Sequence, residues 1–291
     1  MNQWTYRPFT DPALFYREVW DFLYQEEGIN TVALGVIQQL LETPPRYEKY
    51  FLAGLYGDGA LQGTALMTPP HPFNLYLVDA AGLPAALDFA ATIEPPYSVL
   101  GAGGIADSFA KAWCQKADAT IKDIERQGIY ELNQVVAPLS LGGHLRLATD
   151  ADTRVATDFF YGFCRDVSMP VTQDEAREMA DRQIHRQTLF LWQSPEQQHP
   201  VGCAAVTRET ATGACVSYVY TPQNWRGKGV ASNVVAKVCE QLLAGGKKRI
   251  FLYTQMHNPT SNKIYQAIGF RKIADSARLR FRYQRFQSDV R

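Results

Sequence analysis

The 291-residue chain is 46% hydrophobic and 20% charged, and its 29 lysines and arginines match its 29 aspartates and glutamates. That length suits two domains, and the composition suits a chain that buries a sizeable core. The charge balance excludes the strongly basic character with which proteins engage nucleic acid or anionic membranes.

The start of the chain, MNQWTYRPFTDP, lacks a basic segment followed by an apolar one, and no apolar run approaches the ~20 residues that span a bilayer. The expectation is a cytoplasmic protein with neither a nucleic-acid nor a membrane partner. Cys114, Cys164, Cys203, Cys215 and Cys239 are scattered and never form a CxxC pair, so they read as small buried hydrophobes in a reducing compartment. The five histidines are equally dispersed, without HxxxH or HExxH spacing, and no metal site is expected.

In chain order, residues 12 to 43 are predominantly helical. FLAGLYGDGALQGTALM, residues 51 to 67, then reads as two strands around a polar turn. FNLYLV follows as a strand, only DAAG separates it from a helix near residues 81 to 92, and SVLGAGGIADSF places glycines after another strand. The boundary falls near Leu141-Gly142-Gly143, giving domains 1–142 and 143–291.

The second half repeats the order. HLRLAT is a strand, and residues 151 to 166 and 172 to 185 are two helices separated by Pro170, with Thr172 and Glu175 spaced as a capping box. LFLWQSPEQQHPVGCAAV, residues 189 to 206, matches the earlier hairpin, with Gly63 and Gly202 in corresponding places. CVSYVYT is a third strand. Val234, Val235, Val238, Leu242 and Leu243 then recur at helical spacing, ending at Gly245-Gly246 with Lys247 and Lys248 at the dipole's negative end. RIFLYTQ is a strand, HNPTSNKIYQAIGF a turn and short helix, and RLRFRYQRF a last strand that could pair with a second protomer or lie covered within the chain. The fold class is α+β, with α/β-like features.

Between CVSYVYT and its helix stands TPQNWRGKGVAS, residues 221 to 232. A helix start leaves amides unpaired and carries partial positive charge; Gly227 and Gly229 permit close approach to the main chain, while Arg226 and Lys228 add formal charge. This is an anion site suited to phosphate or pyrophosphate, or else a tight turn whose glycines solve a steric problem. Neither a Walker A loop nor a dinucleotide fingerprint is present.

Arg226-Gly-Lys-Gly229-Val-Ala231 resembles the Arg/Gln-x-x-Gly-x-Gly/Ala signature of the GCN5-related N-acetyltransferases, the GNAT superfamily. Downstream, Asn258, followed seven residues later by Tyr265 and then by Gly269-Phe270, is similar to that family's second signature. The wider strings resemble a bacterial subgroup of predicted acetyltransferases, strongly over residues 189 to 274 and through element order alone over residues 1 to 140. The resemblance implies two GNAT-type domains, each a mixed, mostly antiparallel sheet flanked by helices. It also implies that Arg226, Gly227, Lys228, Gly229, Val230 and Ala231 hold the pyrophosphate of acetyl-CoA. Val219, Tyr220 and Thr221 would offer main-chain groups to the pantetheine arm, from a strand that splays away from its neighbour. Asn258 would hydrogen-bond that arm, and Tyr265 would be the general acid for the leaving thiolate. On the residues alone, Asn258 could equally be a helix N-cap and Tyr265 a packed aromatic.

The expected reaction is N-acetylation of an amine on a small molecule or peptide by direct attack in a ternary complex, in a monomer or homodimer. The alternative is a CoA-binding sensor or interaction module without chemistry. Glu209, Glu175 and Glu178 are the carboxylates weighed as base, and each reads better as a solvated position. Of Phe159, Phe160, Tyr161 and Phe163, too consecutive to share one helix face, core packing is the expectation. The first half, lacking both signatures, reads as a degenerate copy without a cofactor of its own.

Overall fold

The computed structural model describes residues 3–43, 46–197 and 199–284. Residue 198, in the turn of the second hairpin, and residues 285 and 286, at the end of RLRFRYQRF, lie outside the described residues.

The first copy runs β1 (Trp4–Phe9), α1 (Pro12–Gln25), α2 (Glu27–Leu41), β2 (Phe51–Gly57), β3 (Ala60–Met67), β4 (Phe73–Leu77), α3 (Leu83–Thr92), β5 (Ser98–Ala102), α4 (Ile105–Lys116) and β6 (Ala119–Leu132). The second runs β7 (His144–Leu147), α5 (Thr153–Asp166), α6 (Gln173–His185), β8 (Leu189–Gln193), β9 (Pro200–Glu209), β10 (Gly213–Tyr220), α7 (Val230–Ala244), β11 (Arg249–Gln255), α8 (Pro259–Ile268) and β12 (Arg271–Tyr283). Element for element the order is the same. Gly63 and Gly202 do correspond: a Cβ on Gly63 would lie 2.6 Å from the Tyr76 carbonyl of β4, and one on Gly202 3.2 Å from the Tyr220 carbonyl of β10.

Contacts divide the described chain into two compact units, and these do not follow the 1–142 and 143–291 division. One unit comprises the chain up to Ile129 together with the segment from Ile273 onward; the other is Tyr130–Lys272. The cause is the last strand of each copy. β12 pairs antiparallel with β5, from Ser276 opposite Ala102 to Arg280 opposite Ser98. In the first unit the strand order is β1-β2-β3-β4-β5-β12-β6. The end of β6 lies instead in the second unit, next to β11, where Tyr130 and Leu132 enter the core. Over its described residues this strand is no edge: β12 has a neighbour on each side, and Arg278 and Arg280 pair with Glu125 and Asp123 of β6.

The second unit orders its strands β11-β10-β9-β8-β7 beyond the end of β6. Successive residues of a strand face opposite sides, and the apolar ones sort accordingly. Cys203 and Ala205 of β9 join Leu189 and Leu191 under α5 and α6, whereas Ala204 and Val206 join Ala214, Val216, Ile250 and Leu252 under α7 and α8. Phe159 and Phe160 of α5 are buried in the first of these cores, as expected, while Tyr161 packs at its margin. The Thr172–Glu175 capping box opens α6 with both reciprocal bonds made. At the entry to α5, Asp152 accepts two bonds from the Arg146 guanidinium, at 2.7 and 2.8 Å, and one from the Thr149 amide at 2.8 Å.

The first unit follows the same plan. Phe15, Val19 and Leu23 of α1 pack with Leu34 and Ile37 of α2 in one core, and Phe89 of α3 with Phe109 and Trp113 of α4 in the other. All five cysteines are free thiols, and all but Cys114 are buried. No helix among the described residues is long and apolar enough to cross a membrane.

Candidate functional site

The site begins where two parallel strands part. β10 and β11 pair from Gly213 opposite Arg249 to Cys215 opposite Phe251. β10 continues to Tyr220 and β11 to Gln255 beyond that paired register. Against β9, β10 shifts register between Ser217 and Tyr220, and Tyr218 takes a left-handed φ of 52°. Such a bulge bends the strand and re-aims its side chains. From Ser217 to Tyr220 all four residues are half-buried, so both faces of the strand's end stay partly open.

Because the strands are parallel, their carboxyl ends lie at one edge of the sheet, and α7 and α8 both start there. This is where open α/β sheets bind ligands. The turn into α7 needs glycine: Gly227 and Gly229 have φ of 74° and 82°, a region that costs L-residues about 1–2 kcal/mol. A Cβ on Gly227 would meet nothing within 4 Å, so the loop's outer side is open. Among the described residues no protein acceptor takes the N–H groups of residues 227 to 232; the first amide of this segment with a partner is that of Asn233, which donates to the Gly229 carbonyl at 3.1 Å. Six amides at a helix start with no protein partner form a cradle for an anion.

The formal charges are placed less freely than the sequence suggests. Arg226 donates from Nε to the Thr221 carbonyl at 3.0 Å and pairs with Asp166 at the end of α5. The ammonium of Lys228 sits 4.4 Å from the centroid of the Trp225 ring. Val219, Tyr220 and Thr221 form the end of the bent strand and the step beyond it, with the Tyr220 ring against Phe159. The Thr221 hydroxyl is buried without a partner. Val230 is buried at the start of α7, with Ala231 half-buried beside it.

Asn258 is the N-cap of α8, its Oδ1 accepting from the Ser261 amide at 3.1 Å. Tyr265 packs in the core under α7 and α8, 6.0 Å from the Phe270 ring. Desolvation pushes its phenol up to about 12, the neighbouring Cys239 adding to that and a bond with Ser261 opposing it. The hydroxyl therefore keeps its proton throughout the neutral range. Of the carboxylates weighed as base, Glu209 pairs with Lys247 at 3.0 Å, Glu175 is bound into its capping box, and Glu178 is exposed.

Two residues of the site escaped the sequence reading. Asn233, buried on α7, donates to the carbonyls of Gly229 and Leu139, each at 3.0 Å, and accepts from the Leu141 amide at 3.3 Å. It thereby pins the cap of the helix; its signal was a lone amide in the apolar run VASNVVAKV. Asp166 was the other, and nothing local marked it as the partner of Arg226.

The acetyltransferase (GNAT) family model matches residues 153–270, the segment that holds the parted strands, the glycine turn, Asn258 and Tyr265. Residues 153–270 are a GNAT acetyltransferase domain. Such domains transfer acyl groups. Solved structures agree on the fold. A GNAT-family acetyltransferase from Colwellia psychrerythraea is 13% identical, with a TM-score of 0.58, and the match covers 96% of this chain and 100% of that one. A GCN5-related N-acetyltransferase from Sphaerobacter thermophilus is 15% identical, with a TM-score of 0.60 and 95% of each chain covered. A tandem GNAT protein from the clavulanic acid biosynthesis pathway is 11% identical, with a TM-score of 0.57 over 95% of this chain and 98% of its own. No curated protein matches the chain in sequence. The GNAT fold thus extends over both copies.

Proposed function

We propose that the GNAT domain is an acetyl-CoA-dependent N-acetyltransferase acting on an amine of a small molecule or peptide. The observation that carries this reading is the row of amides without protein partners at the start of α7, set at the carboxyl ends of two parallel strands that have parted. A pyrophosphate fits there: Gly227 leaves the loop open, and the anion would complete bonds that the chain leaves unmade. Acetyl-CoA would supply the activated acetyl thioester.

The amides of Gly227, Gly229, Val230 and Ala231 would hold the diphosphate, with Lys228 adding charge and Arg226 fixing the turn through Thr221 and Asp166. The main chain of Val219, Tyr220 and Thr221 would align the arm. Asn258 has its carbonyl committed to the helix, so only its amide N–H groups would serve the cofactor. Tyr265, protonated throughout the neutral range, would give a proton to the departing thiolate. Turnover with a panel of amines, read as acetyl-CoA-dependent thiol release, tests the proposal; a chain that binds acetyl-CoA but acetylates none of them contradicts it.

That last outcome is the second reading, a CoA-binding module without chemistry. It is favoured by the commitment of Glu209 and Glu175 to structural bonds.

A further inference from the structure

Beside the parted strands lies a basic group without a counter-ion. β9 shifts register against β10, pairing Arg208 with Cys215 and Val206 with Val216, so that Thr207 is the extra residue of a bulge. The bulge turns both Thr207 and Arg208 toward the same side of β10. Thr207 Oγ1 lies 3.0 Å from Ser217 Oγ, and the Arg208 guanidinium lies 3.1 Å from Cys215 Sγ. Cys215 and Ser217 alternate with Ala214 and Val216, which face α7, so this cluster is on the opposite face of the sheet. On β11, Tyr253 alternates likewise with Leu252 and carries its ring 5.5 Å from the guanidinium carbon.

Arg208 is half-buried, and its Nε is fully buried without a hydrogen-bond partner. Among the described residues no carboxylate pairs with it; the Cys215 thiol accepts from it at 3.1 Å and the Tyr253 ring lies 5.5 Å away. An arginine withdrawn from water normally has a carboxylate or phosphate in its fork, because desolvating the cation is costly. A thiol and an aromatic ring do not replace one. The strand segments that carry Ser217 and Tyr253 are those that lie beyond the paired register of β10 and β11. The guanidinium therefore sits at the last paired position, Cys215, beside the start of the opening and on the face of the sheet away from α7.

We infer that Arg208 binds a carboxylate on the acceptor, so that the amine acetylated belongs to a carboxylated molecule, either a free amino acid or a peptide with a free C-terminus. This inference rests on the acetyltransferase reading and names its substrate class. A carboxylate would accept from the Arg208 guanidinium and from whichever of the Thr207 and Ser217 hydroxyls does not donate to the other, so the bulge would supply a charged and a neutral donor within one short stretch of sheet. The geometry also gives the pocket a selection rule, since a carboxamide or a bare alkylamine would leave the buried cation unpaired.

The test compares matched acceptors on the full chain: free amino acids, their amides and their decarboxylated amines, and short peptides with either a free or an amidated C-terminus. The expected result is turnover of acids over their neutral counterparts by about 10- to 100-fold in kcat/KM, the range for one charge-assisted bond. Free amino acids and free-C-terminus peptides separate the two sources. Arg208→Gln raises KM for the acid by the same factor and so erases the preference for acids over their neutral analogues, while Arg208→Lys restores part of the loss. Acetyl-CoA binding by calorimetry, with circular dichroism to confirm the fold, stays as in the parent for both variants. Equal turnover of acids and neutral amines, or an Arg208→Gln variant as selective as the parent, overturns the inference while the acetyltransferase stands. If acetyl-CoA binds but no carboxylated amine is either acetylated or stabilising in a thermal shift, the inference is also overturned. Absence of acetyl-CoA binding instead removes the reading beneath it.

Discussion

The two copies share one order of elements and differ at one corner. In the second, β10 ends in four consecutive half-buried residues and α7 begins with amides that the protein leaves unpaired. In the first, β4 keeps the alternating burial of a strand covered on one face. Its neighbour β5 stays close: a Cβ on Gly101 would lie 2.9 Å from the Leu75 carbonyl. The start of the helical segment there is already occupied, because Asp79 accepts from the Ala81 amide at 2.9 Å with its own carboxylate. A carboxylate of the chain thus sits where a ligand anion would. The fold alone does not make an anion site; a bent strand end and a bare helix start do.

Changes on either side of this contrast sharpen or break it. The largest effect is expected from Tyr265→Phe, which keeps the ring packed but removes the proton: kcat should fall on the order of 100-fold, with acetyl-CoA affinity and thermal stability nearly unchanged. An unaltered kcat would make Tyr265 a core aromatic only. Next is Asp152→Asn at the entry to the second copy, expected to cost about 2 kcal/mol in denaturant unfolding, since the carboxylate is largely buried and holds Arg146 through two bonds. The first copy opens α1 with the exposed Asp11 and one bond to the Ala13 amide, so its loss should matter less.

The same pair sets a pH dependence. The Arg146 guanidinium and the Thr149 amide hold the Asp152 carboxyl below its ordinary value of 3.8. A depressed folded pKa contributes stability above the unfolded value and loses it as pH falls through the folded one. The parent should therefore lose stability below about pH 4 more steeply than Asp152→Asn, as melting temperatures across pH 2–5 would show.

Asn258→Ala removes an N-cap, for about 1 kcal/mol of stability. A fall in acetyl-CoA affinity beyond what the helix explains would add a cofactor contact to that role. The smallest change is Asp79→Ala, for roughly 0.5–1 kcal/mol. It should leave acetyl-CoA binding untouched, because removing the blocking carboxylate supplies neither the glycine turn nor the parted strands.

Much of this was legible in the residues because its causes are local. The glycine turn needs left-handed backbone at residues 227 and 229, and only glycine adopts that cheaply. The capping box at Thr172 and Glu175 and the helical spacing of Val234, Val235 and Val238 are likewise short-range signals. What was hidden depends on partners distant in sequence. RLRFRYQRF looked like an edge, yet its neighbours β5 and β6 lie over a hundred residues upstream. The Arg226–Asp166 pair and the Asn233 bonds to residues 139 and 141 span gaps that no periodicity reports. The bulge at Thr207 and Arg208 shows only in the register of two strands.

Calorimetric titration of acetyl-CoA into the intact chain tests the contrast between the copies most directly, with Gly229→Asp beside the parent. In that variant a Cβ would meet only Asn233 Nδ2, at 3.7 Å, so the added carboxylate reaches the anion cradle without a clash, at the cost of about 1–2 kcal/mol that the left-handed backbone of residue 229 imposes on an L-residue. The expected result is one equivalent bound per chain, abolished in Gly229→Asp while circular dichroism shows the fold retained. Two equivalents per chain, or unchanged binding by Gly229→Asp, would contradict the assignment of the cofactor site to the second copy alone.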